Sequence, residues 1–220
     1  MQLPFQRDAF EIQRAKMAQA QVESRGIRDP RVLNAMRDVP RHEFVPEVLR
    51  DQAYEDHPLP IGAGQTISQP YIVAAMLEQL SLQPTDRALE VGTGSGYATA
   101  LLSRLCEEVY SVERHAELAE MAEKALGRLG YTNVKVRVGD GRLGWPECAP
   151  FDAILVSAAA SEMPPPLFEQ LREGGRMVLP VGPPASQEVH LIRKVNGQPD
   201  VQMLGGCRFV PLVEGAIDSN

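Results

Sequence analysis

Short apolar runs alternate with stretches of helical spacing along most of this chain. The apolar runs predict buried strands at residues 87–91, 109–112, 134–138, 151–156 and 176–179. Between them, residues 96–106 and 116–129 have helical patterns, and in the second we expect an inward face of Leu118, Met121, Ala125 and Leu129. This alternation predicts an α/β fold with a doubly wound, mainly parallel sheet.

The two ends of the chain depart from this alternation. Helical patterns at residues 8–25, ending at Gly26, and after Asp29-Pro30 predict an N-terminal helical extension over residues 1–40. Five prolines in residues 40–70 predict a long loop with a short helix near residues 47–52, before a helix at residues 72–80. Apolar runs around the Asn196-Gly197 turn predict a hairpin, and therefore antiparallel strands at the C-terminal end of the sheet. We expect one domain of 220 residues, with residues 41–220 as its core.

Three glycines at alternate positions, Gly92, Gly94 and Gly96, follow the first predicted strand. Because glycine lets the backbone approach a ligand closely, this strand-to-helix turn predicts a nucleotide site. The dinucleotide fingerprint is not met, since neither possible frame has glycine at its sixth position, and no Lys-Ser or Lys-Thr pair makes the turn a P-loop. What remains, Glu90 followed by Gly-x-Gly-x-Gly, resembles the first motif of the Rossmann-like methyltransferases that use S-adenosylmethionine.

Two further loops should meet this turn, because ligands of open α/β sheets bind beyond the carboxyl ends of the strands. Glu113 ends a predicted strand 17 residues after Gly96, where a carboxylate can accept both ribose hydroxyls. Asp140, between two glycines, could accept the adenine amino group while Gly141 lets the backbone close in. Each acid could instead be an ordinary cap or turn residue. Glu90 could contact the amino-acid end of the cofactor or only tie down the loop.

Composition and charge reduce the number of partners that we expect for this protein. The formal net charge of −7 disfavours nucleic acid as the main partner. The three cysteines and four histidines lack metal-ligand spacing, so we expect no metal site and reduced thiols. The N-terminal segment does not resemble a signal peptide, and no long apolar run predicts a membrane span. We therefore expect a soluble cytoplasmic protein that acts as a monomer, away from membranes.

A longer series of motifs carries a closer resemblance. The chain has GQTISQPY at residues 64–71, LEVGTGSGY at 89–97, SVER at 111–114, GDG at 139–141, PFDAI at 150–154 and RFVPL at 208–212. In this order and at these positions, the motifs resemble the bacterial protein-L-isoaspartate O-methyltransferase family. The resemblance runs from about residue 40 to residue 215, and it makes residues 41–220 the expected catalytic core.

The resemblance implies methyl transfer from S-adenosylmethionine, which becomes S-adenosylhomocysteine, to the free α-carboxylate of an isoaspartyl residue in a damaged peptide. The ester then cyclises to a succinimide, some of which opens to normal aspartate. The carboxylate is ionised at neutral pH, so it is already the nucleophile and needs no general base.

The resemblance also implies roles for residues outside the glycine turn. Ser68 is the implied catalytic residue, which holds the substrate carboxylate, although its hydroxyl could instead only cap the following helix. Ile67 and Gln69 of the same loop are expected beside the cofactor, and Thr66 beside the substrate. Val210, Pro211 and Leu212 are expected to pair with an extended peptide backbone.

Other classes of protein are weighed against this interpretation. A methyltransferase for a different acceptor, such as a small molecule, another kind of protein site or a nucleic acid, shares the glycine turn. The loop at residues 66–70 argues against it, and the acidic charge argues against a nucleic acid in particular. A binding module without activity would be indicated by a lost glycine or a missing Glu113, and neither is seen. An NAD-dependent oxidoreductase is disfavoured by the glycine spacing.

Overall fold

The structure, a computed structural model, describes residues 9–216. Six α-helices lie within this range: α1 Ala9–Met17, α2 Pro30–Asp38, α3 Pro70–Leu80, α4 Tyr97–Ser103, α5 Ala116–Arg128 and α6 Pro165–Glu169. A π-helical turn at Ala18–Val22 and a 3₁₀ turn at Glu23–Arg25 continue α1 up to Gly26, which closes it in the left-handed conformation. Asp29 begins α2, since its side chain accepts a hydrogen bond from the Arg31 N–H at 2.8 Å. Both predicted helix boundaries are confirmed.

Nine strands form two sheets within the described residues. They are β1 Leu59–Gly62, β2 Gln65–Ile67, β3 Arg87–Val91, β4 Glu108–Glu113, β5 Val134–Val138, β6 Phe151–Val156, β7 Leu171–Val181, β8 Gln187–Val195 and β9 Gln198–Cys207. The main sheet has the order β5-β4-β3-β6-β7-β8-β9. Strands β3 to β7 run parallel, and β8 and β9 are antiparallel additions. The mainly parallel sheet with an antiparallel C-terminal end is therefore confirmed.

Alternate residues of the central strands face two separate cores. Ala88 of β3 belongs to a core shared with helices α1 to α5, whereas Leu89 and Val91 belong to a second core that includes Leu167 of α6. Strand β3 carries apolar residues on both faces because both are covered, as is typical of parallel sheets. The result is a three-layer Rossmann-like domain in which β3 is central.

Two sequence-based predictions differ from the structure. Met121 of α5 is 49% exposed rather than inward, since the buried face consists of Leu118, Ala119, Ala122 and Leu126. The predicted loop at residues 40–70 contains the hairpin of β1 and β2 and a 3₁₀ turn at Arg41–Phe44, neither of which was predicted. The short helix predicted near residues 47–52 is confirmed, as a 3₁₀ helix at Glu47–Gln52. The hairpin turn places Ala63 and Gly64 at positive φ, a hairpin geometry without the usual Asn-Gly signal.

The strand order reverses beside β3. The chain runs from β3 outward through β4 to β5, and then crosses back to place β6 on the other side of β3. Loops that follow β3 and β6 therefore diverge at their carboxyl ends and leave a crevice between them, which is where open α/β sheets bind ligands. No helix within residues 9–216 is long and apolar enough to cross a bilayer.

Candidate functional site

A cavity lies at the carboxyl ends of β3, β4 and β6. Three segments that are far apart in the sequence form most of its wall: the loop after β2, the glycine turn after β3 and the chain beyond β9. The wall includes ten of the residues predicted for the site: Thr66, Ile67, Ser68, Gly92, Gly94, Glu113, Gly141, Val210, Pro211 and Leu212. Four others lie outside the wall: Gln69, Glu90, Gly96 and Asp140.

The glycine turn owes its shape to backbone conformation. Gly92, Gly94 and Gly96 have φ angles of 91°, 53° and 88°, which side-chain-bearing residues adopt only with strain. A Cβ atom on Gly96 would lie 3.2 Å from the Ala122 Cβ, so this glycine also lets α4 approach α5. Gly92 and Gly94 line the cavity, whereas Gly96 supports the turn from behind.

Glu113 ends β4, which pairs with β3, and contacts the glycine turn that follows β3. One carboxylate oxygen accepts the Gly94 N–H at 2.8 Å, and the other accepts the His115 N–H at 3.0 Å. The side chain is buried yet lines the cavity. Because an ionised carboxylate offers about four acceptor positions, two remain for hydroxyl groups of a ligand.

Glu90 lies beneath the turn rather than in the cavity wall. It is completely buried, and one of its oxygens accepts hydrogen bonds from the hydroxyls of Thr99 and Ser111. The other oxygen has no partner among the described residues. Burial raises the pKa of Glu90 to about 7, although the bonds from Ser111 and Thr99 act to lower it. Glu90 therefore ties α4 and β4 to β3 under the turn.

This raised pKa makes the stability of the protein depend on pH. The folded protein holds a proton on Glu90 more tightly than the unfolded chain does, so Glu90 favours folding at low pH. This contribution is lost as pH rises from about 4.5 to about 7. Glu90→Gln should remove this loss, which is on the order of 3 kcal/mol in unfolding free energy. Urea denaturation of both proteins between these pH values checks it, and an unchanged pH slope in the variant would contradict it.

In the predicted loop at residues 139–141, Gly141 and Asp140 have different roles. Gly141 lines the cavity, and a Cβ there would lie 2.5 Å from the Val91 Cγ1, so no larger residue fits. Asp140 instead accepts hydrogen bonds from the Arg142 N–H at 2.9 Å and the Gly215 N–H at 3.0 Å. Burial acts to raise the pKa of Asp140, but the bonds from Arg142 and Gly215 outweigh it and hold that pKa below its usual value. Asp140 thus fastens the C-terminal segment beside the cavity.

Residues 66–69 comprise the end of β2, with Thr66 and Ile67, and the link to α3, with Ser68 and Gln69. Thr66, Ile67 and Ser68 line the cavity, whereas the Gln69 side-chain amide donates to the Asp56 carbonyl at 3.0 Å. The residue that caps α3 is Gln69, and its side chain makes no capping bond. The N-cap position of α3 is therefore not Ser68, against the capping alternative considered for its hydroxyl.

The chain beyond β9 forms the opposite wall. Ala159 receives a hydrogen bond from the Leu212 N–H at 2.7 Å and donates its own N–H to the Val210 carbonyl at 2.8 Å. Two of the backbone groups predicted to pair with a peptide are therefore already bonded inside the protein. The segment still lines the cavity, so it can contact a ligand through groups that these two bonds do not use.

Sequence reasoning missed several residues of the wall. Ser157 and Ala158 follow β6 directly, and the Ser157 N–H donates to the Val91 carbonyl at 2.8 Å. Their position after a central parallel strand was a usable signal, because that edge carries the ligand in such sheets. Met76 of α3 and Phe209 also line the cavity, and no local pattern marks them.

The polar and apolar groups of the wall indicate which kind of ligand the cavity can hold. Glu113 offers acceptors for hydroxyls, and the wall around it is largely apolar, with Val91, Val112 and Leu155. Among residues 9–216, no lysine lines the cavity, and the Arg114 side chain, which does, donates to the Gly215 and Glu214 carbonyls at 3.3 Å. The glycine turn therefore lacks the lysine of a phosphate-binding loop. A nucleoside with a free diol and no phosphate fits these residues, and Ser68 faces it from the opposite segment.

Comparisons with known proteins converge on one family. Residues 13–217 match the family described as protein-L-isoaspartate(D-aspartate) O-methyltransferase. A protein-L-isoaspartate O-methyltransferase from Koribacter versatilis is 55% identical over 204 residues, covering 93% of this chain and 92% of the relative. Another, from Syntrophus aciditrophicus, is 52% identical over 209 residues, covering 94% of this chain and 96% of the relative.

A solved structure agrees with these sequences. It is described as a protein-L-isoaspartate O-methyltransferase from Plasmodium falciparum in complex with S-adenosyl-L-homocysteine, and it is 30% identical to this chain. The two superpose with a TM-score of 0.79 over 91% of this chain and 98% of that one.

Proposed function

This chain belongs to the protein-L-isoaspartate(D-aspartate) O-methyltransferase family, and we propose that its cavity holds S-adenosyl-L-methionine beside Glu113 and the acceptor carboxylate beside Ser68. The protein is an S-adenosylmethionine-dependent methyltransferase that acts on L-isoaspartyl residues. One observation supports a cavity with a cofactor side and an acceptor side: Glu113 and Ser68 line the same cavity from different segments of the chain. Ser68 is also not the N-cap residue of α3.

The cofactor side consists of the three loops after the central strands. Glu113 would accept the two ribose hydroxyls, as the Asp or Glu of a nucleotide-binding α/β sheet does. Gly92, Gly94 and Gly141 would place the backbone against the cofactor. Glu90, Gly96 and Asp140 would act from behind the wall, because each is engaged within the protein. When bound, the cofactor supplies the electrophilic methyl group.

The acceptor side consists of the loop at residues 66–68 and the segment at residues 210–212. The Ser68 hydroxyl would donate a hydrogen bond to one carboxylate oxygen of the isoaspartyl residue. Ser68 also lies two residues before the first turn of α3, whose backbone N–H groups and dipole favour a negative charge. Gln69 would fix this loop through its bond to the Asp56 carbonyl.

Methyl transfer to a carboxylate requires no general base from these residues. A free α-carboxylate has a pKa of about 3.5, so it is ionised at neutral pH and no residue has to remove a proton. The wall must exclude water and hold the carboxylate in line with the methyl group, and such positioning can supply about 7–11 kcal/mol. The ester that results cyclises to a succinimide without further help from the protein, which begins the repair.

We also propose that the protein acts as a monomer in the cytoplasm, on peptides and proteins rather than on nucleic acid or membranes. The net charge of −7 supports peptide substrates over nucleic acid, because a phosphate backbone is bound by basic surfaces. Residues 1–40 and 41–220 would form one domain, since the cores of the extension and of the sheet are continuous through Met36 and Leu77.

The type of bond formed tests this function. Protein incubated with radiolabelled S-adenosylmethionine and an isoaspartyl peptide should place the label in a carboxyl ester, which mild alkali hydrolyses to volatile methanol. Methyl groups on nitrogen, or on sulfur as a thioether, survive the same treatment. Label that stays on the peptide after alkali would indicate a different acceptor and contradict the proposal.

A further inference from the structure

Arg41 carries a buried charge directly behind residues 66–69, which we call the acceptor loop. It lies in the 3₁₀ turn after Pro40 and is completely buried. Its Nε–H donates to the Ala53 carbonyl at 2.7 Å, and its Nη2 donates to the Ser68 carbonyl at 2.8 Å. Arg41 therefore connects the predicted catalytic serine to the core of the N-terminal part of the chain.

This charge has no acidic partner. No carboxylate among residues 9–216 forms an ion pair with Arg41, and its Nη1 is buried without a hydrogen-bond acceptor. The Tyr97 ring lies 4.9 Å from the guanidinium carbon, and the nearby Glu43 pairs with Arg50 and Arg128 instead. Because no carboxylate of the described residues neutralises this buried guanidinium, its positive charge acts on the groups packed around it.

Two residues next to the Arg41 guanidinium, Ser68 and Tyr97, belong to the cavity wall. Arg41 lies behind them. The C=O and N–H of a trans peptide point in opposite directions. A cation at the Ser68 carbonyl therefore polarises the peptide group and strengthens the N–H of Gln69 as a donor. The Ser68–Gln69 peptide group, which begins at the cavity-lining Ser68, would then carry part of the positive potential of Arg41.

We propose that Arg41 is a positioning residue that fixes Ser68 and supplies the positive potential by which the cavity selects a carboxylate. This inference rests on the proposed acceptor side of the cavity. Arg41 acts through the Ser68–Gln69 peptide group and needs no contact with the substrate. Its charge would add to that of Arg114, a residue of the cavity wall whose side chain donates to the Gly215 and Glu214 carbonyls. It would favour an anion beside the neutral Ser68 hydroxyl, in a protein whose net charge is −7.

A pair of peptides that differ only in charge tests this role. One has the isoaspartyl residue with its free α-carboxylate, and the other has the α-carboxamide of the same size. Their affinities are measured by calorimetry for the protein saturated with S-adenosyl-L-homocysteine. The protein should prefer the carboxylate by about tenfold or more, as expected of a full charge separated from its partner by a peptide group. No preference in the unaltered protein would overturn the inference.

Two variants then separate charge from packing. Arg41→Gln keeps a donor for the Ser68 carbonyl but removes the charge, and its preference should fall below about threefold. Arg41→Lys keeps the charge and should keep the preference. A matched control is Arg31→Gln, since the Arg31 guanidinium also donates to two backbone carbonyls, those of Leu82 and Leu105, and does not contact the cavity. It should lower the melting temperature and leave the preference intact.

The outcomes are distinct from those of the function itself. If the isoaspartyl peptide is not methylated by the unaltered protein, the proposed function fails. If the peptide is methylated but Arg41→Gln still prefers the carboxylate peptide over the carboxamide peptide, the role of the Arg41 charge is overturned. The same holds if Arg41→Lys loses this preference as fully as Arg41→Gln does. If both affinities fall together in Arg41→Gln, Arg41 has only a structural role.

Discussion

Ser68→Ala should lower the turnover number for an isoaspartyl peptide by about 100-fold, as removal of one donor to a reacting oxygen does elsewhere. The affinity for S-adenosyl-L-homocysteine should change little, because the hydroxyl belongs to the acceptor side of the cavity. The melting temperature should also change little, since α3 is capped at Gln69 without a side-chain bond and the Ser68 carbonyl, which Arg41 holds, remains. Steady-state kinetics, calorimetry and thermal melting measure the three quantities.

A control variant separates this effect from the loss of any hydroxyl. Ser186 is exposed in the turn between β7 and β8, away from the cavity wall, so Ser186→Ala should match the unaltered protein in all three measurements. If Ser68→Ala instead melts several degrees lower with normal turnover, Ser68 has a structural role only, and the acceptor side has been assigned to the wrong residue.

Glu113→Gln should weaken binding of S-adenosyl-L-homocysteine by about 30-fold, or about 2 kcal/mol, because hydrogen bonds to a charged group are the stronger ones. The substitution keeps the size of the side chain but leaves only one acceptor oxygen. In the structure that oxygen is needed for the Gly94 or His115 N–H. The variant should therefore also unfold about 1 kcal/mol more easily without ligand. Calorimetry and urea denaturation measure the two effects.

The matched control for Glu113 lies just before the same strand. Glu107 is exposed and outside the cavity, so Glu107→Gln removes the same charge from the protein without touching the site. Its affinity for S-adenosyl-L-homocysteine should equal that of the unaltered protein. Equal losses in the two variants would show that only net charge matters and would contradict the assignment of Glu113.

Local patterns predicted the parts of the fold that depend on local physics. The β3 strand and the glycine turn were found because a buried strand is a continuous apolar run and the turn needs positive φ at Gly92 and Gly94. Asp29-Pro30 was recognised because capping is a contact within one helical turn. The parallel direction of the central strands followed from the alternation of strand and helix.

Other features depend on contacts between distant residues. Asp140 bonds Gly215, 75 residues later, and Arg41 bonds Ser68, so neither partner is visible in a short window. Met121 was placed inward because α5 carries two apolar stripes, and only packing decides which is buried. The β1 and β2 strands have four and three residues, which is too short for their periodicity to be recognised, and Pro60 interrupts the pattern of β1.

The most direct test of a cavity that joins S-adenosylmethionine to an isoaspartyl carboxylate is labelling of two peptides that differ only in linkage. One contains an isoaspartyl residue and the other an aspartyl residue at the same position, and both are incubated with the protein and radiolabelled S-adenosylmethionine. We expect label in the isoaspartyl peptide alone. Equal labelling of both peptides, or of neither, would contradict the account.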